Sequence, residues 1–362
     1  MSMGIRVAAV QARNRTFSYT VPTVAEALDK VGENLDALIS LAEAAATQGC
    51  DIIAFPEDCL GTLEWEAGHW EEVAQLLVPA EKEMLDRLGA VAARTGMAII
   101  CCNDTAAAGK VFNTAILIGA AGREIGRYHK VQPTWSERAR AQGSAFPVYE
   151  IPGIGGVGMC ICYDMVFPET TRALALGGAD IVFHSTMGGA SLASGDASLA
   201  AFRARAVDNF LYLVVAFRGG GSMIINPQGE VIATGKGADD LVVADIDPAG
   251  GRAAGDALGG ITEDFRARLF RERNPAAYGI LTAEKPPALE KLSGVEMPSV
   301  EQAARLFHEG LTTGADAFYE ADAWMKEGKI EEARARFSEL AAHFGSVWIG
   351  RVAKERLEQL AE

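Results

Sequence analysis

The sequence predicts a layered protein of the α/β or α+β type, with helices covering its sheets and an all-helical extension at the C-terminal end. Three observations lead there. Short runs rich in Ile, Val and Phe alternate with stretches of helical period from the start of the chain. Residues 282–298 hold Pro286, Pro287 and Pro298 and read as a linker. Beyond Pro298 the composition changes, and residues 299–362 are helical in pattern.

The elements follow in order. A first strand is expected at residues 5–10. Leu35, Leu38, Ile39, Ala42 and Ala45 then recur at helical spacing, and Gly49 ends that helix. A buried strand at 51–55 runs into Pro56-Glu57, and a second helix at 82–95 precedes a strand at 97–102. Further strands are expected at 113–118, 156–161, 179–184, 211–216, 222–226 and 241–245, with helices at 168–176 and 197–210. Ser299 and Gln302 make a capping-box start for the extension. Within it, Ile330, Ala333, Phe337, Leu340 and Phe344 mark one apolar face. Residues 321–344, turning at Gly328, resemble one tetratricopeptide helix pair. Such repeats need about three copies for stability. The tail is therefore expected to dock on its own enzyme or on a sister subunit, serving assembly more than chemistry. A partner-binding module is the alternative.

Composition excludes several functions. The 362 residues are 49% hydrophobic, enough for a large core, and carry a formal charge of −15. That acidity argues against a nucleic-acid surface, which needs clustered Lys and Arg, and against anionic membrane. It fits a soluble homodimer or larger homo-oligomer. No stretch approaches the roughly 20 apolar residues of a membrane span. Residues 5–11 lack the long apolar core of a signal peptide. Six scattered cysteines read as reduced thiols of a cytoplasmic protein. Cys160 and Cys162 have no second pair at finger-like spacing, so no metal site is expected.

Reactive residues sit where strands are expected to end: Glu57 in Phe55-Pro56-Glu57, Lys130 after His129, and Cys162 after an apolar strand. Taken singly, each has an ordinary reading as a solvated carboxylate, a surface cation or a buried structural thiol. Together they change meaning. A strand–Cys–helix junction puts a nucleophile on a sharp turn, as in the serine elbow, with backbone N–H groups facing a developing oxyanion. A thiol also needs a base or cation near neutral pH, and with no His suitably placed, a Glu–Lys pair must serve.

The ordered blocks Phe55-Pro56-Glu57, His129-Lys130 and Cys162-Tyr-Asp-Met-Val-Phe-Pro-Glu169 resemble the nitrilase superfamily over residues 4–281. Residues 203–209, 222–229 and 273–278 fit the same family. The resemblance implies an αββα four-layer sandwich, commonly doubled across a subunit interface. It also implies roles: Glu57 as general base, Lys130 as the cation of the tetrahedral intermediate, Cys162 as nucleophile, and the Tyr163 N–H as partner to Lys130 at the oxyanion. Glu137 is the match for a second glutamate that many members carry, although the usual Pro before Gly143 is missing. Neither a metal nor an organic cofactor is required.

Tyr163-Asp164 after the nucleophile is of the amidase and carbamoylase kind, whereas the stretch from His129 to Thr134 is nitrilase-like. Relatives acting on carboxylate-bearing substrates often carry Arg four residues after the Cys. Val166 stands there, so the expected substrate is a small neutral or cationic amide or N-carbamoyl compound, cleaved through a thioester with release of ammonia. Arg218 or His184 is the alternative source of positive charge. The strand end at 183–187 departs from the family pattern, and its His184 and Thr186 are candidates for the pocket wall, His184 equally for the core. The competing functions are a nitrilase, an acyltransferase, and a catalytically silent assembly protein that works through its tail.

Overall fold

The computed structural model describes residues 4–188, 196–249, 254–256, 262–296, 298–345 and 347–360. Its strands are β1 (Ile5–Gln11), β2 (Ile52–Ala54), β3 (Ala98–Ala107), β4 (Lys110–Ile118), β5 (Glu124–His129), β6 (Val148–Ile151), β7 (Gly155–Ile161), β8 (Ile181–Thr186), β9 (Tyr212–Phe217), β10 (Met223–Ile225), β11 (Val231–Thr234), β12 (Asp240–Ile246), β13 (Ala254–Asp256) and β14 (Thr262–Asp264). Its helices are α1 (Val24–Thr47), α2 (Leu63–Gly68), α3 (Val73–Thr95), α4 (Pro168–Leu176), α5 (Asp196–Val207), α6 (Phe265–Arg271), α7 (Pro287–Lys291), α8 (Val300–Leu311), α9 (Thr313–Lys326), α10 (Ile330–Phe344) and α11 (Trp348–Gln359).

Two six-stranded sheets face each other, in the orders β12-β1-β2-β3-β4-β5 and β11-β10-β9-β8-β7-β6. The period-two alternation of the strands explains the layering. Val7, Ala9, Ile52, Ala54, Ile100, Ala115 and Leu117 join the core between the sheets. Their neighbours Ala8, Val10, Ile53, Ile99, Ile116 and Ile118 pack instead with Leu35, Leu38, Leu76 and Leu88 of α1 and α3. On the far side, Leu174 and Ala175 of α4 and Phe202 and Ala206 of α5 cover the second sheet. This is the αββα sandwich that the sequence resemblance implied.

The topology sets up the site. β1, β2 and β3 run parallel in one sheet, and β7, β8 and β9 run parallel in the other. Parallel strands bring their carboxyl ends to one edge, where open α/β sheets bind ligands. Ser185 Oγ reaches across from β8 to donate to Phe55 O at 2.8 Å, tying the two edges together.

Five strands escape the sequence reading: β5, β6, β11 and the two-stranded pair β13 and β14. The first three are outermost in their six-stranded sheets. An edge strand is half solvated, as Ile125 and Ile232 are here at 46% and 41% exposure, so it lacks a continuous apolar run. α3 starts at Val73, nine residues before the expected start, and carries Pro79 inside it. Burial of Val73, Leu76, Leu77 and Ala80 outweighs the hydrogen bond that Pro79 cannot make.

The C-terminal helices α8 to α11 have their own core, built on Phe318, Ala321, Ala333, Phe337, Leu340, Phe344, Ile349 and Ala353. α9 and α10 pack as a pair joined at Gly328, whose φ of 81° is one that L side chains avoid. The expected linker contains the short helix α7, with Pro287 in its first turn. Among the described residues, no helix is long and apolar enough to cross a membrane.

Candidate active site

Glu57 follows β2 and is 2% exposed. Its Oε1 accepts from Asn113 Nδ2 at 2.7 Å and from Lys130 Nζ at 3.1 Å, whereas its buried Oε2 has no hydrogen-bond partner among the described residues. A carboxylate held on one oxygen and open on the other is arranged to accept a proton. The chain turns sharply just after it. Asp58 adopts φ 54°, and its Oδ1 receives the N–H groups of Thr62 and Leu63, which opens α2. Residues 13–19 wrap over this turn. Phe17 N donates to Gly61 O at 3.0 Å, and a Cβ on Gly61 would meet Arg15 O at 2.3 Å.

Lys130 follows β5 and is also 2% exposed. Its Nζ lies 3.0 Å from both carboxylate oxygens of Glu137 and 3.1 Å from Glu57 Oε1. Burial by itself pushes a lysine down, but the carboxylates of Glu137 and Glu57 outweigh it and hold this ammonium well above the usual lysine range. Glu137 ends a short 3₁₀ turn, Trp135–Glu137, where its Oε2 also accepts Thr134 N at 2.8 Å. Burial pushes its carboxyl up, while Lys130 and Arg140 pull it further down, so it stays ionised below the usual range. Gly143 pins the backbone of the lysine, with Gly143 N donating to Lys130 O at 2.9 Å. A Cβ there would sit 2.1 Å from His129 O, so this approach needs glycine.

Cys162 stands at the end of β7 and opens the 3₁₀ turn Cys162–Val166 with φ 44°. A β-strand running into a left-handed, non-glycine residue is a strained elbow of the kind that exposes a nucleophile. Burial pushes its thiol up and the Glu57 carboxylate pushes it further, against the pull of Lys130 and of the Thr186 hydroxyl, leaving it at about 12. The thiol is therefore protonated at neutral pH. Three side chains from β2, β5 and β7, far apart in sequence, thus share one electrostatic neighbourhood.

The carbon–nitrogen hydrolase family model matches residues 6–255. The chain belongs to that family. It is 29% identical over 240 residues to a deaminated glutathione amidase from Synechocystis sp., an alignment covering 60% of this chain and 86% of the relative. It is 31% identical over 221 residues to a nitrilase from Pyrococcus abyssi, covering 57% and 80%. Among solved structures, a glutamate-to-glutamine form of the amidase from Nesterenkonia sp. AN1 superposes with a TM-score of 0.59 at 23% identity, over 76% of this chain and 96% of that one. The last likeness establishes the shared fold.

The remaining expected site residues of this carbon–nitrogen hydrolase are placed differently from one another. Thr186, fully buried at the end of β8, bonds Gly188 through its hydroxyl and touches the Cys162 thiol. A Cβ on Gly188 would lie 3.6 Å from Cys162 Sγ, so the smallest residue faces the sulfur. Tyr163 and Val166 are half-buried on the turn after Cys162; Tyr163 packs edge-on against Phe167, and Val166 O accepts from Arg205. His184 lies in the core. Its Nδ1 is 3.4 Å from Cys160 Sγ and its ring packs on Phe202 of α5, on the strand face opposite Ser185. Burial pushes the imidazole down to about 3, so it is neutral.

Two residues escape the sequence reading of the site. Asn113 on β4 anchors Glu57, and a buried amide in the strand leading to the apolar run at 115–118 was the available signal. Asp164, fully buried, accepts from Tyr128 OH at 2.7 Å, Ile161 N at 2.9 Å and Gln132 N at 2.8 Å. It thereby ties the segment after Lys130 to the turn that bears Cys162. Burial lifts its carboxyl to about 6, although these donors hold it down.

Proposed function

We propose that this hydrolase cleaves the C–N bond of a small neutral or cationic amide or N-carbamoyl compound, with Cys162 as nucleophile and ammonia as the leaving group. The observation that carries the reading is the buried Oε2 of Glu57, without a hydrogen-bond partner among the described residues, beside a thiol that is protonated at neutral pH. Such a thiol attacks only if its proton leaves in the same step. Glu57 accepts that proton as Cys162 Sγ bonds to the carbonyl carbon. Lys130 turns one N–H from a carboxylate to the developing oxyanion, joined by the Tyr163 N–H. Glu57 then passes the proton to the departing nitrogen, ammonia leaves, and a thioester remains. Water attacks the thioester with Glu57 again as base, giving the acid and restoring the thiol. Glu137 keeps Lys130 charged and aimed throughout.

The choice of substrate charge rests on the neighbours. Val166 offers no cation. Arg218 is spent on Asp58 Oδ2 at 2.5 Å and Thr16 Oγ1 at 2.7 Å, and His184 is buried and neutral. Among the described residues, none of the three candidates the sequence nominated offers a free cation to a substrate carboxylate. Similarity to a nitrilase supports a second reading, in which a nitrile is the substrate. Ammonia release from matched pairs of nitriles and amides, extended to N-carbamoyl amines and acids, tests both. Turnover of amides with inert nitriles is expected. Turnover of the nitrile with an inert amide favours the second reading, and a preference for carboxylate-bearing amides overturns the charge argument.

A further inference from the structure

The C-terminal helices do not stand apart from the chemistry. α8 lies against the 3₁₀ turn Trp135–Glu137 and against α2. Those two segments follow Lys130 and Glu57, so one tail helix spans both loops that leave the candidate site. The contacts are specific. Trp135 Nε1 donates to Pro298 O at 2.7 Å, at the entry to α8. The Phe307 ring lies 5.9 Å from the guanidinium of Arg140, which Trp70 faces at 5.4 Å. His308 packs on Trp70 at 5.1 Å.

Arg140 carries this contact inward. It is 4% exposed, pairs with Glu66 at 3.0 Å and with Asp104, and its backbone N donates to Glu137 O at 2.8 Å. Glu66 belongs to α2, so Arg140 links the two segments from beneath while α8 links them from above. Covering Arg140 with Phe307 keeps water from its ion pairs, which strengthens them. Arg140 and Lys130 together keep Glu137 ionised.

We infer that the C-terminal helical tail is a positioning element of the active site: α8 holds the Glu137 turn against Lys130, and without that pressure the Glu137–Lys130–Glu57 arrangement loosens. This inference rests on the proposed roles of Lys130 and Glu57. It keeps the expectation that the tail docks on its own enzyme and adds a part in the chemistry to the expected part in assembly. Glu57, Lys130 and Cys162 touch the reacting groups; Glu137, Trp135, Phe307 and Arg140 act through them. A displaced Glu137 aims Lys130 poorly while leaving the substrate pocket in place, so kcat falls and KM does not. A Glu137 that pairs less closely with Lys130 also protonates more easily, which moves the acid limb of the kcat profile to higher pH.

The test uses the full chain with three variants: Trp135→Phe, which removes the indole N–H and one ring while keeping an aromatic side chain; Phe307→Ala, which uncovers Arg140; and Tyr19→Phe. Tyr19 OH donates to Asp316 Oδ2 at 2.5 Å, so its loss weakens tail docking at a point away from the Glu137 turn. kcat and KM are measured against pH on an amide that the wild-type protein hydrolyses, with circular dichroism to verify folding. Phe307→Ala is expected to lower kcat about tenfold with KM within about threefold, and to shift the acid limb upward. Trp135→Phe is expected to act in the same direction and less, and Tyr19→Phe to leave the limb where it is. The inference is overturned if folded Phe307→Ala and Trp135→Phe keep wild-type kcat and acid limb. It is equally overturned if Tyr19→Phe moves the limb as far as Phe307→Ala, since general loosening then explains both. A wild-type protein inert on every amide and nitrile would instead refute the proposed function, which separates the two failures.

Discussion

Glu57→Gln preserves the size of the side chain and one acceptor oxygen while removing its charge and its capacity to take a proton. Both donors at Oε1, Asn113 Nδ2 and Lys130 Nζ, require an oxygen there, so the glutamine carbonyl takes that place. Its NH₂ group then replaces the unpartnered Oε2. With the thiol at about 12, only about one molecule in 10⁵ carries a thiolate at pH 7, so attack depends on a base. A general base is worth about 10²–10⁴-fold, or roughly 3–5 kcal/mol of barrier, and kcat should fall by that factor. The thiol itself should respond in the opposite sense. The Glu57 carboxylate is the largest influence after burial that raises it, so its removal should lower the midpoint of thiolate formation. Ammonia release reads the first effect, and ultraviolet thiolate absorption against pH reads the second. A variant that keeps kcat within about fivefold of wild type, or whose thiol titrates higher, would show that Glu57 is not the base.

Other consequences follow from the same geometry. Asn113→Ala removes a 2.7 Å hydrogen bond to a buried carboxylate, worth about 1.5–3 kcal/mol, so kcat/KM should drop roughly 10- to 100-fold; unchanged steady-state kinetics would rule out a positioning role. Gly143→Ala forces a Cβ to within 2.1 Å of His129 O and should lower Tm by roughly 3–10 °C in a thermal melt. Glu64 is raised to about 7 by burial and by the Asp58 carboxylate. Its folded form holds a proton that the unfolded form releases near pH 4.5, so its contribution to stability is full below that point and is lost as pH rises through about 7. Thermal melts from pH 4 to 8 should therefore show Glu64→Gln gaining on wild type as pH rises, and parallel curves would contradict the burial argument.

The elements read most directly from the sequence are those whose burial is complete. β2, β7 and β8 lie in the interior of their sheets, and each carries a short buried apolar run: 52–54 in β2, 159–161 in β7 and 181–183 in β8. The edge strands β5, β6 and β11 owe their existence to one neighbour each, and pairing with a distant strand leaves little trace in local composition. The same division holds in the site. Glu57, Lys130 and Cys162 each closely follow a strand inside a recognisable block, and the roles proposed for them call for particular residue types at a turn. Asn113 and Asp164 carry no such mark, since an amide or carboxylate becomes a holder only once a partner is brought to it.

The sequence by itself determined the family, the layered fold and the reactive residue types, because these depend on periodicity and on short blocks of fixed spacing. Tertiary structure decided which oxygen of Glu57 stays open, that His184 faces Phe202 and Cys160, and that α8 lies over the Glu137 turn. Those outcomes turn on contacts between residues tens to more than a hundred positions apart. Such contacts depend on strand register and on how separate loops close over one another, and no local pattern records either.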